Sequence, residues 1–129
     1  MIDLKKKSPK LLVIGDLIID QYLWGNCERI SPEAPVQIVN VDNENTLLGG
    51  AGNVVNNLKA LGAKVDVISV VGDGKNSDAL KALLDDIGVD TKYLITQKNR
   101  ITSKKSRIIA SQQQVVRYDH ESTEEIDIK

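Results

Sequence analysis

The sequence predicts an α/β protein with a parallel sheet and a smaller β-structure beside it, and three observations carry that prediction. Residues 11–15 (LLVIG) and 64–71 (KVDVISVV) are short, nearly continuous apolar runs, the pattern of strands buried in a parallel sheet. Segments 49–62 and 76–87 repeat apolar residues at helical spacing and stop at Gly62 and Gly88. The resulting order of strand, helix, strand, helix makes a right-handed parallel βαβ unit the economical topology.

Taken along the chain, the first strand ends at Gly15, which puts Asp16 and Asp20 at the carboxyl end of a parallel strand, where open α/β sheets bind their ligands. From 22 to 41, Tyr22, Trp24, Val36, Ile38 and Val41 are separated by polar residues and interrupted by Pro32 and Pro35. Because proline is excluded from central strands, this reads as two strands about a rigid bend, in a flap outside the main sheet. Residues 42–46 (DNENT) read as a polar loop. Gly49 and Gly50 open the helix of 49–62, whose inward stripe is expected to be Val54, Leu58 and Leu61. Free N–H groups at that helix start suit the hydroxyls or anions of a polar ligand. After the strand 64–71 comes a Gly72-Asp73-Gly74 turn, then a helix directing Leu80, Leu83, Leu84 and Ile87 inward. Ile101, Ile108, Ile109, Val115 and Val116 mark a hairpin over 101–119 with glutamines 112–114 in its turn. Ser122 and Glu125 have capping-box spacing, so 122–129 reads as the start of a helix that the chain cuts short.

Composition narrows the function. The 129 residues hold 17 basic and 18 acidic side chains, a balance that provides no field for nucleic acid. The run Lys5-Lys6-Lys7 with Lys10 reads as a solvated leader. Cys27 is the only cysteine, which excludes an internal disulfide or a cysteine zinc site and suits a reducing cytoplasm. No apolar run approaches the roughly 18 residues of a membrane span, and no signal-peptide pattern is present. His120, the only histidine, reads as a surface or packing residue. Two phosphate motifs fail: Asn76 replaces the hydroxyl residue a P-loop needs after Gly74-Lys75, and Val55 stands where the dinucleotide fingerprint needs its third small residue.

What residues 48–62 (LGGAGNVVNNLKALG) do resemble is the first signature of the ribokinase-like carbohydrate kinases. Gly15-Asp16, Asp20, Val71-Gly72-Asp73 and Gly88-Val89 extend the resemblance from about residue 10 to the end. Within that family, 29–36 (RISPEAPV) and the pattern of Thr102, Lys105, Arg107, Gln113, Gln114, Arg117 and Asp119 are similar to the lid of the heptose 7-phosphate kinases. Gly52, Ser111 and Gln112 depart from that subgroup, in positions that bear on sugar preference.

The resemblance implies a fold and a reaction. The fold is the N-terminal portion of a ribokinase-like, Rossmann-type parallel sheet with helices on both faces, having a core of 10–21 and 46–100 and a β-lid of 22–41 and 101–119. The reaction is transfer of the ATP γ-phosphate, with Mg²⁺, to the anomeric hydroxyl of a heptose 7-phosphate, which depends on positioning and charge stabilisation. Carried over residue by residue, Asp16 and Asp20 accept sugar hydroxyls, and Gly49, Gly50 and Asn53 let the helix start approach the sugar. Lys105, Arg107 and Arg117 take the 7-phosphate, since lysine and guanidinium groups are phosphate binders. The general base and the ATP site are implied to lie beyond residue 129, so no catalytic residue and no metal ligand is expected here. Pairing of two copies through the lid is also implied. Another sugar or nucleoside kinase of the family, and a non-catalytic sugar-binding or interaction domain, remain open as alternatives.

Overall fold

A computed structural model describes residues 8–127, so the basic run 5–7 and the last two residues of the segment 122–129 lie outside the described residues. Among the described residues, seven strands form two sheets, accompanied by two helices. The core sheet has the order β1-β4-β5 and is parallel throughout, from β1 (Lys10–Ile14), β4 (Lys64–Val71) and β5 (Leu94–Thr96). The lid sheet has the order β3-β2-β6-β7, from β2 (Leu17–Ile30), β3 (Gln37–Gly50), β6 (Lys104–Ala110) and β7 (Gln113–His120). Its two hairpins, β2–β3 and β6–β7, are joined by a parallel pairing of β2 with β6.

The helices follow the sequence closely. Helix α1 (Ala51–Ala60) ends where Gly62, at φ 91°, lets Ala63 N–H return to the Leu58 carbonyl at 3.0 Å. Helix α2 (Lys75–Asp86) ends the same way before Gly88, with Val89 N–H on the Leu84 carbonyl at 3.0 Å. The alternate residues Val65, Val67, Ser69 and Val71 of β4 are buried, and Val65, Val67 and Val71 form one core with Val55 of α1 and Leu80 and Leu84 of α2. Both helices therefore cover the same face of the core sheet, so among the described residues the sheet has helices on one face and not on both as the resemblance implies. The opposite face keeps Leu12, Ile14 and Ile95 54, 71 and 57 % exposed.

Five expectations about single elements change. In α1 the buried positions are Gly52 and Val55, whereas Val54 and Leu61 are about half exposed, so the inward stripe is rotated by one residue. Residues 42–46 belong to β3 and are not a loop. The lid sheet also takes in 17–21 and 46–50, because β2 and β3 run unbroken from the core floor outward. In the second hairpin the turn is Ser111-Gln112, both at positive φ, and Gln113 and Gln114 are paired in β7. Nor does the capping box open a helix among the described residues. The Ser122 hydroxyl instead accepts the Ile101 N–H at 2.9 Å, which ties the tail across the start of the lid.

Candidate sugar-binding face

The alternation of four paired strands builds this site. Register places Leu47, Asp20, Lys105 and Asp119 in one row across β3-β2-β6-β7, and Asn45, Tyr22, Arg107 and Arg117 in the next row on the same face. Acidic residues thus stand one step from basic ones. Arg107 Nη1 donates to Asp20 Oδ1 at 2.8 Å, with both side chains largely shielded, and the guanidinium lies 5.2 Å from the centre of the Tyr22 ring. Tyr22 in turn stacks on Trp24 at 5.5 Å. Arg117 grips Asp119 through two nitrogens, at 2.9 and 2.7 Å. That hydrogen bond, with the charge behind it, holds the Asp119 carboxyl below and the Arg117 guanidinium above their ordinary values.

The glycines fit around these groups. Gly49 is buried, and a methyl group there would strike the Asp20 carboxylate. Gly50 precedes α1 at φ 55°, where a side chain would be strained and its Cβ would lie 2.5 Å from the Asp16 carbonyl. That carbonyl accepts the first helical N–H, from Ala51, at 2.9 Å. Asp16 is exposed and shares a cleft of about 570 Å³ with Lys105, Thr102 and the tail 121–126.

Of the residues singled out in the sequence, Asp20, Gly49, Lys105, Arg107 and Arg117 come together on one face, and Asp16 and Gly50 adjoin its base. Asn53 does not join them. It is exposed and lines a separate groove with Leu48, Leu83 and Ile87. Tyr22 and Asp119 are the members that the sequence reading left out of the site, although their alternation with Asp20 and Arg117 was there to be used. Thr102 belongs to the scaffold: its buried hydroxyl accepts the Gly72 N–H at 2.8 Å and pins the lid entrance to the turn after β4.

Residues 8–128 match the family model described as pfkB family carbohydrate kinase. The chain belongs to that family. Among curated proteins it is 64 % identical over 121 residues to the bifunctional protein HldE of Aliarcobacter butzleri, 62 % over 123 residues to that of Sulfurimonas denitrificans, and 56 % over 127 residues to that of Helicobacter hepaticus. Those alignments cover 94–98 % of this chain but only 25–26 % of the relatives, so the chain spans about a quarter of their length. In fold, this pfkB-family chain is similar to a carbohydrate kinase from Agrobacterium tumefaciens (TM-score 0.65, 22 % identity, 87 % of this chain and 35 % of that one). It is similar also to the Arabidopsis thaliana ribokinase complexed with ribose and ATP (TM-score 0.62, 19 % identity, 89 % and 36 %). The ribokinase-like α/β architecture read from the sequence is therefore the fold of this chain. No helix among the described residues is long and apolar enough to cross a membrane.

Proposed function

We propose that the chain forms the sugar-binding floor and lid of an ATP-dependent kinase that phosphorylates the anomeric hydroxyl of a heptose 7-phosphate. The observation that carries this is the double row on the lid: two carboxylates, three cations and a stacked aromatic pair on one face, above the glycine turn at the start of α1. Carboxylates accept several hydroxyl donors from a polyol, aromatic faces cover its C–H surface, and guanidinium groups bind phosphate in a fixed fork. Arg107 uses one of its five N–H donors on Asp20, which leaves others for a ligand while Tyr22 restrains the group. The lid segments 29–36 and 102–119, which resemble those of the heptose 7-phosphate kinases, support heptose 7-phosphate over other sugars.

In this reading Asp16, Asp20, Gly49 and Gly50 form the hydroxyl-binding floor, Lys105, Arg107 and Arg117 bind the 7-phosphate, and Asn53 contributes no contact from its separate groove. ATP and Mg²⁺ supply the phosphoryl group and neutralise its charge. No cluster of three His, Cys, Asp or Glu side chains gathers among the described residues to hold a metal, so no step is assigned to Mg²⁺ through this chain. In this reading the carboxylates of the floor and lid accept sugar hydroxyls and none serves as the general base, so the chain binds sugar phosphate without turning it over. The setting is cytoplasmic, and two copies pair through the lid. The free edges of β3 and β7 and the exposed Val41, Val115 and Val116 support that pairing.

Isothermal titration with D-glycero-D-manno-heptose 7-phosphate tests the reading. Saturable binding is expected, weaker by about tenfold for the unphosphorylated heptose or for Arg117→Gln, the loss of one charge-assisted contact. Equal affinity for both sugars would remove the phosphate role of the lid. No binding to either would remove the sugar site.

A further inference from the structure

We infer that the cleft at the N-terminus of α2 is a second anion site, built for a phosphate group and separate from the sugar-binding face. Its first component is the helix end. Helix α2 begins after Gly74, in extended backbone, with no side-chain cap, and its twelve residues align their dipole toward that end. The second component is Ser77, which lines the same cleft and is 1 % exposed. Its hydroxyl is the one buried side-chain polar atom among the described residues without a hydrogen-bond partner. Buried hydroxyls are almost always bonded, so an orphan one turn into an uncapped helix points to a ligand.

Charge agrees. Lys75 and Lys104 line the cleft, and neither is in an ion pair among the described residues, while His120 stands opposite Lys104 in the β6–β7 register. Two other charged groups of opposite sign, Asp73 and Arg100, stand at the rim and offset each other. Asp73 accepts the Asn99 N–H at 3.2 Å, and Arg100 donates to Gln97 and to the Glu124 carbonyl. The volume, about 460 Å³, suits a small phosphorylated molecule as well as free phosphate. Strand alternation separates this cleft from the sugar site: Lys105 shares its row with Asp20 and Asp119, so its neighbour Lys104 lies on the opposite face of the sheet.

The experiment is an amide NMR titration of the chain with inorganic phosphate, with glycerol 3-phosphate in a parallel arm and sodium chloride at matched ionic strength as the control. Saturable shifts are expected at Lys75, Asn76 and Ser77 with a Kd of about 1–10 mM. Lys104→Gln should weaken binding at least about fivefold, and Ser77→Ala likewise, while Arg117→Gln should leave it unchanged. Tighter binding of glycerol 3-phosphate identifies an organic phosphate as the ligand class, and equal binding identifies free phosphate; both uphold the site. Lys104→Gln alters only a strand surface charge, so it remains informative should Ser77→Ala unfold the chain. The same shifts with chloride, no saturation with either phosphate, or loss of binding in Arg117→Gln would overturn the inference.

Discussion

Replacing Gly49 with alanine separates the sugar-binding reading from a purely architectural one. The new methyl would sit 2.8 Å from Asp20 Cγ and closer still to Oδ2, whereas ordinary contact begins at 3.4 Å. The carboxyl group must therefore withdraw by at least about 0.6 Å, while its Oδ1 is held at 2.8 Å by Arg107. Because the obstacle is the end of a short side chain and not backbone, Asp20 yields and the fold survives; what is lost is the alignment of Asp20 with Arg107. A hydrogen bond to a charged group contributes about 1.5–3 kcal/mol, which converts to a tenfold to hundredfold rise in Kd for the sugar phosphate. Calorimetric titration of Gly49→Ala reads that change, with circular dichroism to verify the fold. Gly74→Ala serves as the control, since nothing lies within 4 Å of its added methyl. Unchanged affinity in folded Gly49→Ala would refute the role of the Asp20–Arg107 pair.

Two further predictions concern stability and charge. Gly72→Ala meets the Arg100 carbonyl, a backbone obstacle that cannot swing aside, with the carbonyl carbon 2.8 Å away, and it also presses on the strand entrance pinned by Thr102. It should cost about 1–3 kcal/mol in urea unfolding, and a variant as stable as the parent would show that the segment moves freely. For Asp119, the folded carboxyl titrates below its unfolded value of about 3.9, so the Arg117 pair contributes stability above that pH and loses it as pH falls through the lower folded value. Carboxyl-detected NMR should place the Asp119 midpoint below about 3.9 and return it there in Arg117→Gln; an unshifted midpoint in the parent chain would contradict the bidentate pair.

Local patterns made the core legible. The apolar alternation in 64–71 and the glycines after each helix define β4, α1 and α2 to within two residues at either end, because each is set by neighbours in sequence. The lid was harder to read. Residues 42–46 look like a loop because β3 projects beyond the core, where neither face requires apolar side chains and strand character rests on pairing with 21–24. The rotation of α1 toward Val55 follows from where β4 lies beneath it, which helical spacing alone leaves undetermined. Asp20 and Arg107 were each singled out, for different parts of a sugar, yet their ion pair joins residues 87 apart through the β2–β6 register, and no local signal encodes that.

That parallel pairing has a consequence for how the chain is made. Strand β2 leaves the ribosome early and finds β3 at once, but its other edge is completed by β6, whose first residue follows Ile30 by 74 positions. The hairpin is complete at Gly50, 54 positions before β6 begins, so at about 5–20 residues per second it shows a bare edge for roughly 3–11 s. Long-range closure of this kind is slow, and an open strand edge invites pairing with other chains. Asn26 and Glu28 near the outer end of β2 are exposed polar residues suited to keeping that edge soluble in the interval. The lid is thus closed only after β1, β4 and β5 have been synthesised, though its first strand precedes two of them.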